Sequence, residues 1–150
     1  MEALADGEEI RVQKRNLASL VFAHIGNDSF FGFLPPLLPL LIVEMDMTLS
    51  MAGLLASTFA FTGAVGQPLF GYFSDRVRKG WLIALGPIGG AFMTLLIYMP
   101  NYTSVLLLLL FAGSGSACFH PVASVIAAQI SGNRKGFGMS VYVSGGRIGV

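Results

Sequence analysis

Four apolar stretches, each long enough to cross a lipid bilayer, constrain this chain more than any other feature. A transmembrane helix needs about 20 residues. Runs of that length lie near Leu17 to Val43, Met51 to Phe73, Trp81 to Met99 and Thr103 to Ile130. With 54% hydrophobic and 11% charged residues, the chain is far poorer in charge than a soluble domain, which carries about 25%. The expected fold class is therefore all-α and transmembrane. A fifth apolar segment starts around Gly136, and the residues from there to Val150 are too few to span at about 1.5 Å per residue. Four complete spans plus the start of a fifth are expected, as at the front of a longer protein.

Charge is crowded into the N-terminal tail, residues 1–16, where Glu2, Asp6, Glu8, Glu9, Arg11, Lys14 and Arg15 lie. Residues 17–150 form the membrane part. No short apolar stretch with a small-residue cleavage site follows the tail, which argues against a removed signal peptide. Basic residues recur in alternate loops. Arg11, Lys14 and Arg15 precede the first span, Arg76, Arg78 and Lys79 follow the second, and Arg134 and Lys135 follow the fourth. The loops "EMDMTLS" and "PNYTS" carry no Lys or Arg. This asymmetry predicts a cytoplasmic N-terminus and spans that alternate from there. The net charge of +1 gives no reason to expect a nucleic acid partner, and the lone Cys118 cannot form an internal disulfide.

The spans differ in polarity. His24, Asn27, Asp28 and Phe31 recur at three- and four-residue spacing in the first, which stacks them on one helix face. Gly113, Ser116, His120 and Ser124 do the same in the fourth, and the fifth offers Ser140, Ser144 and Arg147. The third, "WLIALGPIGGAFMTLLIYM", has no acidic or basic group and is expected to face lipid. Ionisable side chains in hydrocarbon cost several kcal/mol unless they face a bundle interior or water, so Asp28 and His120 mark a candidate site. The simpler alternative is a structural lock, in which they pair with each other or with Arg147. Gly63, Gly66, Gly71, Gly113 and Gly115 are read as packing surfaces between helices. Pro35, Pro36, Pro39, Pro68 and Pro121 are expected to kink or unwind their helices. The "NYT" triplet at Asn101 matches a glycosylation sequon, but its loop is short and lies against the membrane, so the match is read as chance.

The stretch "GYFSDRVRKG" resembles the loop signature of the major facilitator superfamily. Gly71, Asp75 and Arg76 match it and Lys79 keeps a basic position, while Arg78 replaces the second glycine. Within that superfamily, "HIGND", "QPLFGYFSD", "GSGSACFHP" and "GFGMSVYVSGG" resemble the fosmidomycin-resistance group of efflux proteins. Leu109 stands where many proton-coupled exporters carry an arginine ahead of a Gly-x-Gly pair. The resemblance implies two six-helix halves rocking around a central site, with this chain covering most of the first. Inverted repeats would then make the first and fourth spans equivalent, which would set His120 opposite Asp28.

These readings converge on a secondary active transporter of the plasma (inner) membrane, a proton-coupled exporter of small molecules or drugs. His24, Asn27, Asp28, His120 and Arg147 are the expected substrate and proton pathway. Gly71, Asp75, Arg76 and Lys79 are the expected gating loop. The expected partners are a small-molecule substrate, protons, the bilayer and a C-terminal half. Alternatives are an importer of an organic anion or sugar, or a non-transporting fragment or scaffold subunit. No metal-ligand spacing, nucleophile elbow or phosphate loop occurs, so neither an enzyme nor a cofactor is expected. A reporter fused within "PNYTS" should read as external and one within "SGNRKG" as cytoplasmic, because only the latter carries Arg134 and Lys135. The reverse labelling would overturn this arrangement.

Overall fold

The computed structural model describes residues 2–74, 76 and 79–150, with side chains from Lys14 onward except that of Lys79. Among the described residues six α-helices run in chain order: α1 (Glu2–Gly32), α2 (Leu34–Glu44), α3 (Leu49–Ser74), α4 (Lys79–Ala91), α5 (Tyr102–Ile130) and α6 (Lys135–Gly149). Short 3₁₀ segments occupy Phe92–Tyr98 and Gly132–Arg134. The spans long and apolar enough to cross a membrane are Lys14–Glu44, Leu49–Ser74, Gly80–Tyr98 and Tyr102–Ile130. These match the four expected spans, with α6 as the beginning of the fifth.

The first span is two helices. Pro35 and Pro36 lack the N–H groups that would bond back to Phe31 and Gly32, so α1 stops and the chain turns at Phe33 before α2 resumes. This break lies one helical turn beyond Asp28. The other prolines do not interrupt: Pro39, Pro68 and Pro121 sit inside α2, α3 and α5, which continue through them. In the third span, α4 tightens into the 3₁₀ segment from Phe92, a change that the uniform apolar run gave no reason to expect.

Helix ends are satisfied locally. At the end of α2, Asp46 adopts a left-handed φ of 49°, while the Met47 amide donates to the Ile42 carbonyl at 3.0 Å. That is the six-to-one bond of a Schellman stop. Gly132 (φ 51°) plays the left-handed role after α5. Asn101 caps α5: its side chain accepts from the Ser104 amide at 3.0 Å, and the Asn101 amide donates to the Ser104 hydroxyl at 3.3 Å. The asparagine of the sequon-like triplet thus has a structural job.

Helix α5 is central, packed between α3 and α4, while α6 lies along α1. Glycines allow these approaches. A Cβ at Gly115 would fall 2.9 Å from the Gly89 Cα and 3.0 Å from the Leu85 carbonyl, so α4 and α5 touch backbone to backbone. A Cβ at Gly66 would fall 2.5 Å from the Ala117 Cβ, and one at Gly113 3.1 Å from Thr62. The other two expected packing glycines differ. Gly71 has room for a methyl, 3.6 Å from Pro121, and Gly63 meets nothing because it faces a cavity. The third span divides its faces: Leu82, Met93 and Leu96 are buried inward, whereas Trp81, Leu85, Ile88 and Ile97 are exposed. Its outward face is largely apolar, and the exposed Thr94 hydroxyl donates to the Ala91 carbonyl of its own helix.

Gly115→Ala is expected to lower the stability of the full-length protein by about 1–3 kcal/mol through overpacking. Gly63→Ala should stay within about 0.5 kcal/mol. Thermal melts in detergent would compare them, and equal melting points would contradict the backbone contact.

Candidate functional site

His24, Asn27 and Asp28 occupy the α1 face that turns into the bundle, and α5 brings His120 against them. The His24 Nδ1 donates to the Tyr142 backbone carbonyl at 2.9 Å. Its Nε2 lies 3.1 Å from Asp28 Oδ2. The Asn27 Nδ2 donates to Asp28 Oδ1 at 2.8 Å, and the His120 Nε2 lies 3.6 Å from that same oxygen. His24 and Asn27 are buried, and Asp28 and His120 are partly exposed toward a cavity. The site is therefore a buried pair with one open side.

Tautomer logic sharpens the geometry. A carbonyl can only accept, so the His24 Nδ1 carries hydrogen, and in the neutral ring Nε2 is then a lone pair. That lone pair faces a carboxylate oxygen at 3.1 Å. Two acceptors this close repel unless a positive centre lies between them.

Helix α6 closes the pair from above. The Tyr142 ring stacks on His24 with centroids 4.2 Å apart and planes 20° apart. A Cβ at Gly146 would fall 2.6 Å from the His24 Nε2 and 2.7 Å from Asp28 Oδ2, and one at Gly149 2.6 Å from the Ile25 carbonyl. Only glycine lets α6 come this near. The expected fifth-span residues lie elsewhere. Ser140, Ser144 and Arg147 are exposed on the opposite face, Ser140 bonds its own backbone at Gly136, and no ion pair among the described residues joins Arg147 to Asp28. Neutralisation of Asp28 by Arg147 is thus not found, because the small-residue face of α6 wins the packing against α1.

Beside the cluster opens a cavity of about 720 Å³, walled by Asp28, Phe31, Phe59, Gln67, Ser116 and His120 among others. The Phe31 and Phe59 rings, both in its wall, stack on each other at 5.2 Å. Of the polar face expected on α5, Ser116 and His120 line this cavity, Gly113 both lines it and packs on Thr62, and Ser124 bonds the Pro121 carbonyl instead. Sequence reasoning missed Tyr142 and Phe59. Tyr142 contributes through a backbone carbonyl, which has no signature, although its spacing with Gly138, Gly145, Gly146 and Gly149 marks one helix face. No sequence spacing relates His120 to the first span, yet His24, Asp28 and His120 each bring an atom able to ligate within 4.8 Å of the others.

In the expected gating loop, Arg76 lies over the Tyr72 ring at 4.0 Å, and its amide donates to the Phe73 carbonyl at 2.9 Å. Asp75 and Arg78 lie outside the described residues, and Lys79 opens α4.

Long apolar helices, a polar cluster sunk among them and a cavity at its side define a multi-pass membrane protein with an intramembrane site. The sequence profile of the Major Facilitator Superfamily matches residues 20–150, and the chain belongs to that superfamily. It is 30% identical over 151 residues to the fosmidomycin resistance protein of Escherichia coli (strain K12), covering 98% of this chain and 36% of that one. It is 31% identical over 127 residues to the uncharacterized MFS-type transporter YfnC of Bacillus subtilis (strain 168), covering 84% of this chain and 31% of that one. The chain thus spans about a third of the length of these curated relatives. No solved structure matches it.

The Tyr142 hydroxyl is buried without a partner among the described residues, so Tyr142→Phe should hold or raise stability while keeping the ring on His24, since an unsatisfied buried polar group costs about 1–3 kcal/mol. Tyr142→Ala should lose about 3 kcal/mol or more. Melting curves of the two variants measure this, and a Phe variant as unstable as the Ala one would reveal a hidden partner for the hydroxyl.

Proposed function

We infer that this chain is part of a proton-coupled secondary transporter that exports small molecules across the plasma membrane, with its N-terminus in the cytoplasm. The observation that carries the reading is the lone pair of His24 Nε2 facing Asp28 Oδ2 at 3.1 Å. A proton is the smallest positive centre that resolves two opposed acceptors, and here it would have a seat already built. The Tyr142 carbonyl fixes the ring from behind and Asn27 fixes the carboxylate, so a proton can arrive and leave without the seat rearranging.

The cavity side supplies the route. Asp28 and His120 both border it, so His120 can pass a proton to Asp28 or hydrogen-bond a substrate lodged beneath Phe31 and Phe59. Stacked aromatic rings and Gln67 suit a partly apolar molecule with a few polar groups. Substrate entering would compete with the proton for Asp28, and that competition couples the two flows. The break at Phe33, one turn from Asp28, offers a joint at which α2 can swing as the cavity changes side. The remaining wall would come from the rest of a longer transporter.

Export is favoured over import by the relative whose name states fosmidomycin resistance, because removal of a toxic compound is the protection that a transporter provides. Uptake of an organic anion is the second reading, resting on His120 as a hydrogen-bond donor open to the cavity.

In proteoliposomes holding the full-length protein, Asp28→Asn should reduce pH-gradient-driven uphill transport by at least about tenfold while downhill exchange continues, since an amide imitates the protonated acid but releases no proton. If the pair were only a structural lock, removing one member would cost about 3–5 kcal/mol and both activities would fall together with the melting temperature. Uphill transport at the wild-type rate in a stable Asn variant would sink the proton reading.

A further inference from the structure

A proton is not the only cation the cluster can seat. We propose that His24, Asp28 and His120 form a binding site for a divalent transition-metal ion of the zinc, cobalt and nickel class. The inference deepens the reading above and rests on it in treating the adjoining cavity as the route by which ions reach the cluster.

The donor set is two imidazole nitrogens and one carboxylate, drawn from α1 and α5. Their ligating atoms lie within 4.8 Å of one another, with His24 Nε2 3.1 Å from Asp28 Oδ2 and His120 Nε2 3.6 Å from Asp28 Oδ1. Two ligands of a tetrahedral ion with bonds of 2.0–2.1 Å stand about 3.3 Å apart. Each imidazole nitrogen thus already stands near that separation from one of the two Asp28 oxygens, His24 from Oδ2 and His120 from Oδ1, and a turn of the His120 ring toward His24 draws the set together. His120 is the least buried of the three, with 27% of its side chain exposed, so it has room for that turn.

The supporting contacts are those a metal site needs. Ligating histidines hold their tautomer by donating the other ring N–H to a carbonyl or carboxylate, and His24 Nδ1 does so to the Tyr142 carbonyl at 2.9 Å. That bond aims the Nε2 lone pair at the cluster. Asn27 Nδ2 steadies Asp28 in the same way at 2.8 Å. A magnesium or calcium ion is disfavoured, because each asks for six or more oxygen ligands and the cluster offers one carboxylate. Copper(I) is disfavoured for want of a thiolate, since Cys118 is buried against Leu82 and Val122 instead. Asp28 and His120 border the cavity, which leaves a coordination position open to water or a cavity-bound molecule.

The test is a titration of tag-free, chelator-treated full-length protein in detergent with Co²⁺, read by its visible ligand-field absorption. The wild type should bind one ion saturably, and Zn²⁺ should displace it whereas Mg²⁺ should not. His120→Gln, which leaves the buried His24 and Asp28 pair in place, should weaken binding at least tenfold, and Asp28→Asn more. Melting curves on the same samples verify that each variant is folded. No saturable absorption in the wild type, or equal binding by a folded His120→Gln protein, overturns the site. A wild type that binds no Co²⁺ yet transports under a pH gradient ends this inference alone. Wild-type Co²⁺ binding with transport indifferent to the gradient supports the site and removes the proton reading.

Discussion

A carboxylate among apolar helices has to be answered by its surroundings, and the arrangement around Asp28 is that answer. Leaving such a charge unpaired in a protein interior costs several kcal/mol. Here three groups on two helices converge on it: His24 and Asn27 from its own helix and His120 from α5. A fourth contribution is indirect, for the Tyr142 carbonyl holds His24 in place. That convergence requires α6 to lie almost in contact with α1, and Gly145, Gly146 and Gly149 provide the contact surface. The polar site and the glycine face of α6 are two halves of one requirement.

The chain's membrane character was legible because apolar length is a one-dimensional property. Each span can be counted along the sequence, and the counts agree with the helices apart from the division at Phe33 and the 3₁₀ stretch from Phe92. The α1 face was legible too, since three- and four-residue spacing maps directly onto one side of a helix. The meeting of Asp28 with His120 came from a resemblance, not from spacing, because no periodicity relates residues on different helices.

The fifth span shows why the rest was hidden. Ser140, Ser144 and Arg147 carry the polar atoms, so a reader of sequence assigns the site to them. Packing selects the opposite face, because close approach is governed by what is missing from a side chain. Gly146 takes part in the site by having nothing to put in the way. Backbone groups are equally silent, and the Tyr142 carbonyl would serve the same purpose with many residues at that position. Asp28 and His120 were found because they are chemically loud.

The tightened segment Phe92–Tyr98 bears on how the bundle fits its bilayer. The span Gly80–Tyr98 has 19 residues, fewer than its neighbours, and as a plain α-helix it would reach about 28 Å at 1.5 Å per residue. A 3₁₀ helix rises about 2.0 Å per residue, so its seven residues lengthen the span to about 32 Å. The hydrocarbon layer is about 30 Å thick. Winding more tightly in one stretch therefore turns a span slightly short of the layer into one slightly longer than it, a length that a tilt accommodates without thinning the lipid.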